Sequence, residues 1–251
     1  MRIITYASHY SVQSDNYNKY IERAFNALKD KLDIEPLDSL GGNFQLYHKI
    51  IAVNNYIKNL DDNEFIVFVD AFDVLPVNGV NRDRLEYAIQ KTYNMNKITF
   101  NSEINCSPQS DLAKYFQDIP GEWKYLNSGM YAGRVKLLKP FFDNIITYID
   151  KLPKDVETLY DVFGDQEQQY NKFNDQLICI QQYIKNNSSI DLDYNCNVFQ
   201  TLYSGHFFSH PYHKLHINYE NKTIQNTVTG SYPLLVHGNG KTILDRILDI
   251  V

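Results

Sequence analysis

Asp70 and Asp73 stand three residues apart at the end of Phe65-Ile66-Val67-Phe68-Val69, five apolar residues without a polar interruption. The run is too short for a helix and rich in β-branched and aromatic types. It therefore predicts a strand covered on both faces, in the middle of a mostly parallel sheet. In open α/β sheets ligands bind outside the carboxyl ends of the strands, which makes Asp70 and Asp73 the expected place for a nucleotide and its metal. Two carboxylates about 5 Å apart repel by roughly 3 kcal/mol at an effective dielectric of 20, a penalty that a hard divalent cation removes. A third candidate ligand is His237, which ends the strand-like run Tyr232 to Val236 and opens His237-Gly238-Asn239-Gly240. Histidine at a strand end, beside glycines that let backbone amides face an anion, is a metal-and-phosphate arrangement.

Two further stretches border this chemistry. Asn174-Asp175-Gln176-Leu177 opens a helical period, with Leu177, Ile180, Tyr183 and Ile184 on its apolar side. A carboxylate in a first helical turn is favoured by the helix dipole, so Asp175 reads equally as a helix-start residue and as a functional acid. Leu126-Asn127-Ser128-Gly129-Met130-Tyr131-Ala132-Gly133 is an apolar strand punctuated by glycines. Glycine inside a strand marks close approach of a ligand or another backbone, which places this stretch at the floor of the pocket.

The elements that must position these residues follow a regular order. Ile3 to Ala7 reads as a strand; Ile21, Phe25, Leu28 and Leu32 recur at helical spacing after Asp15; Ile34 to Leu37 is a short strand. Gly41-Gly42 breaks the pattern, and Leu46, Ile50, Val53 and Ile57 mark a second helix leading into the Asp70 strand. This is a β-α-β-α-β order with connections long enough for right-handed crossovers, as in a Rossmann-like nucleotide-binding half. Beyond Asp73, Leu85 and Ile89 predict a helix, Lys97 to Phe100 a strand, Asn105 to Pro108 a loop and Leu137 to Ile149 a helix. Alternation over Leu215 to Tyr219 and Thr223 to Thr227 predicts a small antiparallel addition, and Ile243 to Ile250 an amphipathic turn that caps the body or meets a partner.

A chain of 251 residues with 43% hydrophobic content can bury one sizeable core, and a single domain over residues 1–251 is expected. The net charge of -6 argues against a general nucleic-acid binder and for small anions carried with a metal. Cys106, Cys179 and Cys196 are too few and too widely spaced for a disulfide framework or a CxxC zinc site, so a reducing compartment is expected. The chain opens as a strand with no charged and apolar leader, and no apolar run reaches membrane-spanning length. The expectation is a cytoplasmic protein without membrane or nucleic-acid partners, with a homodimer left open.

Phe68-Val69-Asp70-Ala71-Phe72-Asp73, Leu126 to Gly129, Asn174 to Leu177, Phe199-Gln200 and Val236 to Gly240 together resemble the glycosyltransferase domain of the procollagen lysyl hydroxylases, over nearly the whole chain. The resemblance implies an α/β GT-A fold, Mn2+, and a UDP-sugar donor. It also implies retaining transfer of glucose from UDP-glucose to hydroxylysine-linked galactose in a collagen-like peptide acceptor. UDP-galactose transferred to hydroxylysine is the alternative. By motif, Asp70, Asp73 and His237 hold the metal, Phe72 stacks on uracil, and Asn239 and Gly240 line the pyrophosphate. Lys49 falls where the family has a nucleotide-contacting lysine, and Thr5 and Asn127 are grouped with these donor-binding residues. Asp175 and Asn174 stand where the family has a run of acids and are the catalytic candidates, with Asp165 or Glu103 as the fallback carboxylates.

Two departures touch the acceptor side. Ser107 replaces the tryptophan of the family's C-W-P loop, and the acidic run before Gln176-Leu177 has shrunk to Asn174-Asp175. The length leaves no room for the relatives' hydroxylase domain, which excludes iron and 2-oxoglutarate chemistry. The resemblance also points to a stand-alone giant-virus homologue working in the host cytoplasm, since some giant viruses carry collagen-like proteins together with enzymes of this family. A haloacid-dehalogenase-like phosphatase needs its aspartates two apart, not three, whereas a donor-binding protein without catalysis is favoured by the shortened acidic run. The series His206, His210, His213, His216 reads as a hairpin edge rather than a second metal site.

Overall fold

The structure, a computed structural model, describes residues 1–7, 15–37, 40, 46–151, 158–159, 170–171, 174–202, 214–239, 242 and 244–251. Gly41, Gly42, Asp165, His206, His210, His213 and Gly240 lie outside the described residues. His216 is described and stands exposed on a hairpin strand.

The first half follows the expected order: β1 (Arg2–Tyr6), α1 (Asp15–Leu32), β2 (Glu35–Leu37), α2 (His48–Ile57) and β3 (Phe65–Val69). β1 pairs in parallel with both β2 and β3, and β3 places Ile66 to Val69 in complete burial. Ile66 and Phe68 pack with α2 on one face, while Val67 and Val69 pack with α1 on the other. Each buried side chain of this size contributes roughly 1.5–3 kcal/mol relative to exposure, which fixes the strand whose end carries Asp70.

The second half comprises β4 (Val74–Pro76), α3 (Arg82–Thr92), β5 (Ile98–Glu103), β6 (Tyr125–Arg134), α4 (Val135–Lys151), β7 (Thr158–Leu159), β8 (Tyr170–Asn171), α5 (Asp175–Lys185) and β9 (Ile190–Leu192). β10 (Phe199–Thr201), β11 (Leu215–Asn218), β12 (Thr223–Asn226), β13 (Leu235–His237) and α6 (Asp245–Leu248) complete it. The central sheet runs β2-β1-β3-β6-β5-β9, and β6 alone opposes the other five strands. Between β5 and β6 lies only a 3₁₀ segment, Ser110–Phe116. β6 pairs antiparallel with β5 and with β3. α2, α4 and α5 cover one face, and α1 and α3 the other.

A three-stranded sheet, β10-β13-β4, joins the carboxyl-end side, and β11 pairs with β12 as the antiparallel addition. The strand at Lys97–Phe100 starts and ends later than the periodicity indicates, because Asn101, Ser102 and Glu103 are buried against β6 and β10. The C-terminal turn packs Leu244, Ile247, Leu248 and Ile250 against Leu75, Val77 and Val236, capping the body. No helix among the described residues is long and apolar enough to cross a membrane.

Candidate active site

β3 ends at Val69, and the next backbone amide, that of Asp70, donates to the Gly129 carbonyl at 2.8 Å. The chain then turns through Asp73 into β4, which pairs antiparallel with β13 so that Val74 faces His237. That register sets the imidazole beside the preceding aspartate, 164 residues away in sequence. His237 Nε2 lies 3.2 Å from Asp73 Oδ2 and 3.7 Å from Asp70 Oδ2. One ligand atom from each of the three residues falls within 4.8 Å of the others. Two hard oxygens and one imidazole suit Mn2+ or a similar divalent cation, and no thiol belongs to the cluster. The cluster packs closely against the Gly129 backbone. A Cβ added to Gly129 would stand 2.7 Å from His237 Nδ1 and 2.8 Å from Asp70 Oδ2, so a side chain there would force the cluster apart.

The electrostatics describe two unlike carboxylates. Burial pushes Asp70 up to about 6, helped by the neighbouring charge of Asp73 and opposed by Lys49 and His237. Burial also acts upward on Asp73, but the His237 charge and hydrogen bond outweigh it and hold Asp73 below its usual value. His237 is raised: burial disfavours its charge, yet Asp73 and Asp70 together prevail.

A second carboxylate pair forms through Lys49. Its ammonium lies 3.0 Å from Asp70 Oδ1 and 2.7 Å from Asp175 Oδ2. Burial, the largest effect, works against the ammonium charge, but Asp175 and Asp70 raise the lysine well above its ordinary value. Asp175 sits in the first turn of α5 with its side chain 5% exposed, and Ser128 Oγ donates to the same Oδ2 at 2.5 Å. Asn174 caps this helix, its Oδ1 accepting the Leu177 N–H at 3.0 Å. Both readings of the Asn174-Asp175 pair thus have a physical basis: the asparagine holds the helix start, and the aspartate is turned into the site.

The remaining predicted residues divide. Phe72 is half-buried beside the Phe25 ring, 5.9 Å between centroids. Thr5 is wholly buried and its hydroxyl has no hydrogen-bond partner among the described residues. Asn239 Nδ2 donates to Glu103 Oε2 at 2.7 Å, and Asn239 Oδ1 accepts from Leu202 N–H at 3.2 Å. Asn127 is 2% exposed, with its side chain committed to Gly129, His237 and Gln176.

Sequence reasoning did not assign Ser128 or Gln176. Gln176 Nε2 donates to Glu103 Oε1 and to the Ser107 carbonyl, tying α5 to the Cys106-Ser107-Pro108 loop. Both residues lay inside motifs already singled out, but their partners come from other elements and leave no periodic signal. Glu103 is 1% exposed, and burial raises its carboxyl to about 8 against the amide donors of Gln176, Asn127 and Asn239.

A sequence model of the family described as PLOD GT domain matches residues 11–247. An uncharacterized protein of Acanthamoeba polyphaga mimivirus is 27% identical over 204 residues, covering 81% of this chain and 37% of its own. The chain thus spans little more than a third of that relative. A glycosyltransferase involved in glycosylation of the major capsid of PBCV-1 superposes over the whole of both chains with a TM-score of 0.53 at 10% identity. The galactosyltransferase LgtC, solved with donor and acceptor sugar analogs, aligns over 96% of this chain and 88% of its own, with a TM-score of 0.49 at 15% identity.

Proposed function

This chain belongs to the PLOD GT domain family and is a glycosyltransferase of the GT-A type, and from that premise we propose that it transfers glucose from UDP-glucose, with Mn2+, to hydroxylysine-linked galactose of a collagen-like chain with retention. The observation that carries the reading is the convergence of Asp70, Asp73 and His237 at the carboxyl ends of β3 and β13. These three side chains would hold the metal, which when bound would neutralise the pyrophosphate and stabilise its departure.

The chain's own residues do the rest. Phe72 offers an aromatic face to uracil, a contact worth about 1–3 kcal/mol. Lys49 places a permanent cation between Asp70 and Asp175, so the two carboxylates approach the donor without repelling each other. Asp175, with Oδ2 held by Ser128 and Lys49, is the electrostatic partner of the positive charge that develops on the sugar ring as UDP leaves. Asn174 positions it by capping α5. Asn239, hydrogen-bonded to Glu103, is assigned with the backbone after His237 to the pyrophosphate.

The test is a panel of UDP-sugars with Mn2+ and two acceptor peptides, one bearing galactosyl-hydroxylysine and one bare hydroxylysine. UDP-glucose with the galactosylated peptide is the expected productive pair, and Asp175→Asn should retain donor binding while losing about 10²- to 10³-fold in turnover. Activity only with UDP-galactose and bare hydroxylysine would overturn the acceptor assignment. More than half the turnover left in Asp175→Asn would return that residue to a helix-start role.

A further inference from the structure

The ladder between β5 and β6 breaks at one place beside the site. Phe100 pairs with Tyr131, and the next residue of β5, Asn101, pairs with Asn127, so Ser128, Gly129 and Met130 have no counterpart on β5. Bulges bend their strand and re-aim side chains, and they concentrate next to active sites. This one gives a single short stretch two tasks. The Gly129 carbonyl accepts the Asp70 N–H at 2.8 Å, which holds the end of β3 against β6 on the metal side. Ser128, one residue earlier and 4% exposed, sends its hydroxyl to the first turn of α5.

That hydroxyl meets Asp175 Oδ2 at 2.5 Å, and the Lys49 ammonium lies 2.7 Å from the same oxygen. An ionised carboxylate only accepts, so the Ser128 O–H donates. No described residue bonds Asp175 Oδ1. The two oxygens are thereby divided: one is neutralised from within the protein, and the other keeps its lone pairs. Lys49 alone would leave the carboxylate free to rotate, since its ammonium sits on a flexible stem and is shared with Asp70 Oδ1 at 3.0 Å. The serine supplies the second, directional contact, and both Ser128 and Asp175 are buried, so water does not compete for it.

We propose that Ser128 is a positioning residue for sugar transfer: through its hydrogen bond to Oδ2 it fixes the rotation of the Asp175 carboxylate and presents Oδ1 to the positive charge that develops on the sugar. The inference rests on the role given to Asp175 in the proposed function, and it assigns Ser128 no contact with metal or nucleotide. Its signature is therefore confined to turnover and passes through Asp175.

The experiment is a double-mutant cycle on the full chain, run with Mn2+ and the productive donor and acceptor of the panel above at saturation, together with calorimetric titration of UDP. Ser128→Ala should lower kcat about 10- to 100-fold, the size expected for one hydrogen bond to a charged group, and leave UDP affinity within about twofold of wild type. In an Asp175→Asn background, where the charge to be aimed is gone, the same substitution should cost less than about threefold. A folded Ser128→Ala variant whose kcat stays within about threefold of wild type overturns the proposal. So does an equal loss in both backgrounds, or a loss seen only in UDP affinity, since either would leave Ser128 a structural role. Should the alanine variant not fold, Ser128→Cys replaces it under the same thresholds, because a thiol donates only weakly. A wild type inactive with every pair, or Asp175→Asn retaining more than half the turnover, contradicts the proposed function and takes the proposal with it. A slow Asp175→Asn beside an unimpaired Ser128→Ala overturns the proposal alone.

Discussion

At the scale of residues, the site is a set of buried charges whose neighbours decide their state. Glu103 is the clearest example, since burial lifts its carboxyl from an ordinary 4.5 to about 8. The folded chain therefore holds this proton more tightly than the unfolded chain. The stability that follows is fully present below about 4.5 and is lost as pH rises toward about 8. Glu103→Gln does not titrate, so urea unfolding of metal-free protein at pH 5.5 and 8.5 should show wild type losing on the order of 3 kcal/mol more than the variant. A constant gap between the two would mean that the amide donors, not burial, govern Glu103. Asp70, Asp73 and His237 were legible because strand ends followed by glycine or acid are local patterns. Ser128 and Gln176 were not, because a hydroxyl or an amide acquires its role only from partners that the fold brings from elsewhere.

Among the elements, β4 and β13 matter most to the site, because their pairing delivers His237 to Asp73. Asn78, just past β4, holds that pairing in place. Its Nδ2 donates to the Pro233 carbonyl at 2.6 Å and the Ile224 carbonyl at 2.8 Å, while its Oδ1 accepts from Ile224 N–H at 2.6 Å. It does so with φ +54, a conformation that asparagine tolerates better than most residues. Asn78→Ala strips three bonds from buried backbone groups and should cost about 3–5 kcal/mol; Asn78→Gly, which relieves only the backbone, should recover about 1 kcal/mol of that. Thermal unfolding of the three proteins measures both, and a loss below 1 kcal/mol for alanine would contradict the clamp. The helices and the first three strands were readable from periodicity, as Leu28 and Leu32 or Ile50, Val53 and Ile57 show. The reversal of β6 was not, since strand direction depends on how the chain returns and carries no mark in side-chain type. The three-residue strands β4 and β10 are likewise too short to repeat a pattern, whereas β13 overlaps the strand-like run Tyr232 to Val236.

The described residues form a sheet with helices on both faces, its single opposed strand β6 lying between β3 and β5, and a second small sheet on the carboxyl-end side. That arrangement keeps the acids on one rim and the apolar core away from it, which is why the strand reading at Phe65 to Val69 led to the site. The most direct test of the account is calorimetric titration of UDP into wild type and Asp73→Ala, each with Mn2+ and with EDTA. Wild type should bind UDP at least tenfold more tightly with Mn2+ than with EDTA, and Asp73→Ala should lose that difference. Equal affinity for UDP in Mn2+ and EDTA by wild type, or an unchanged Mn2+ effect in Asp73→Ala, would contradict a metal-borne nucleotide at Asp70, Asp73 and His237.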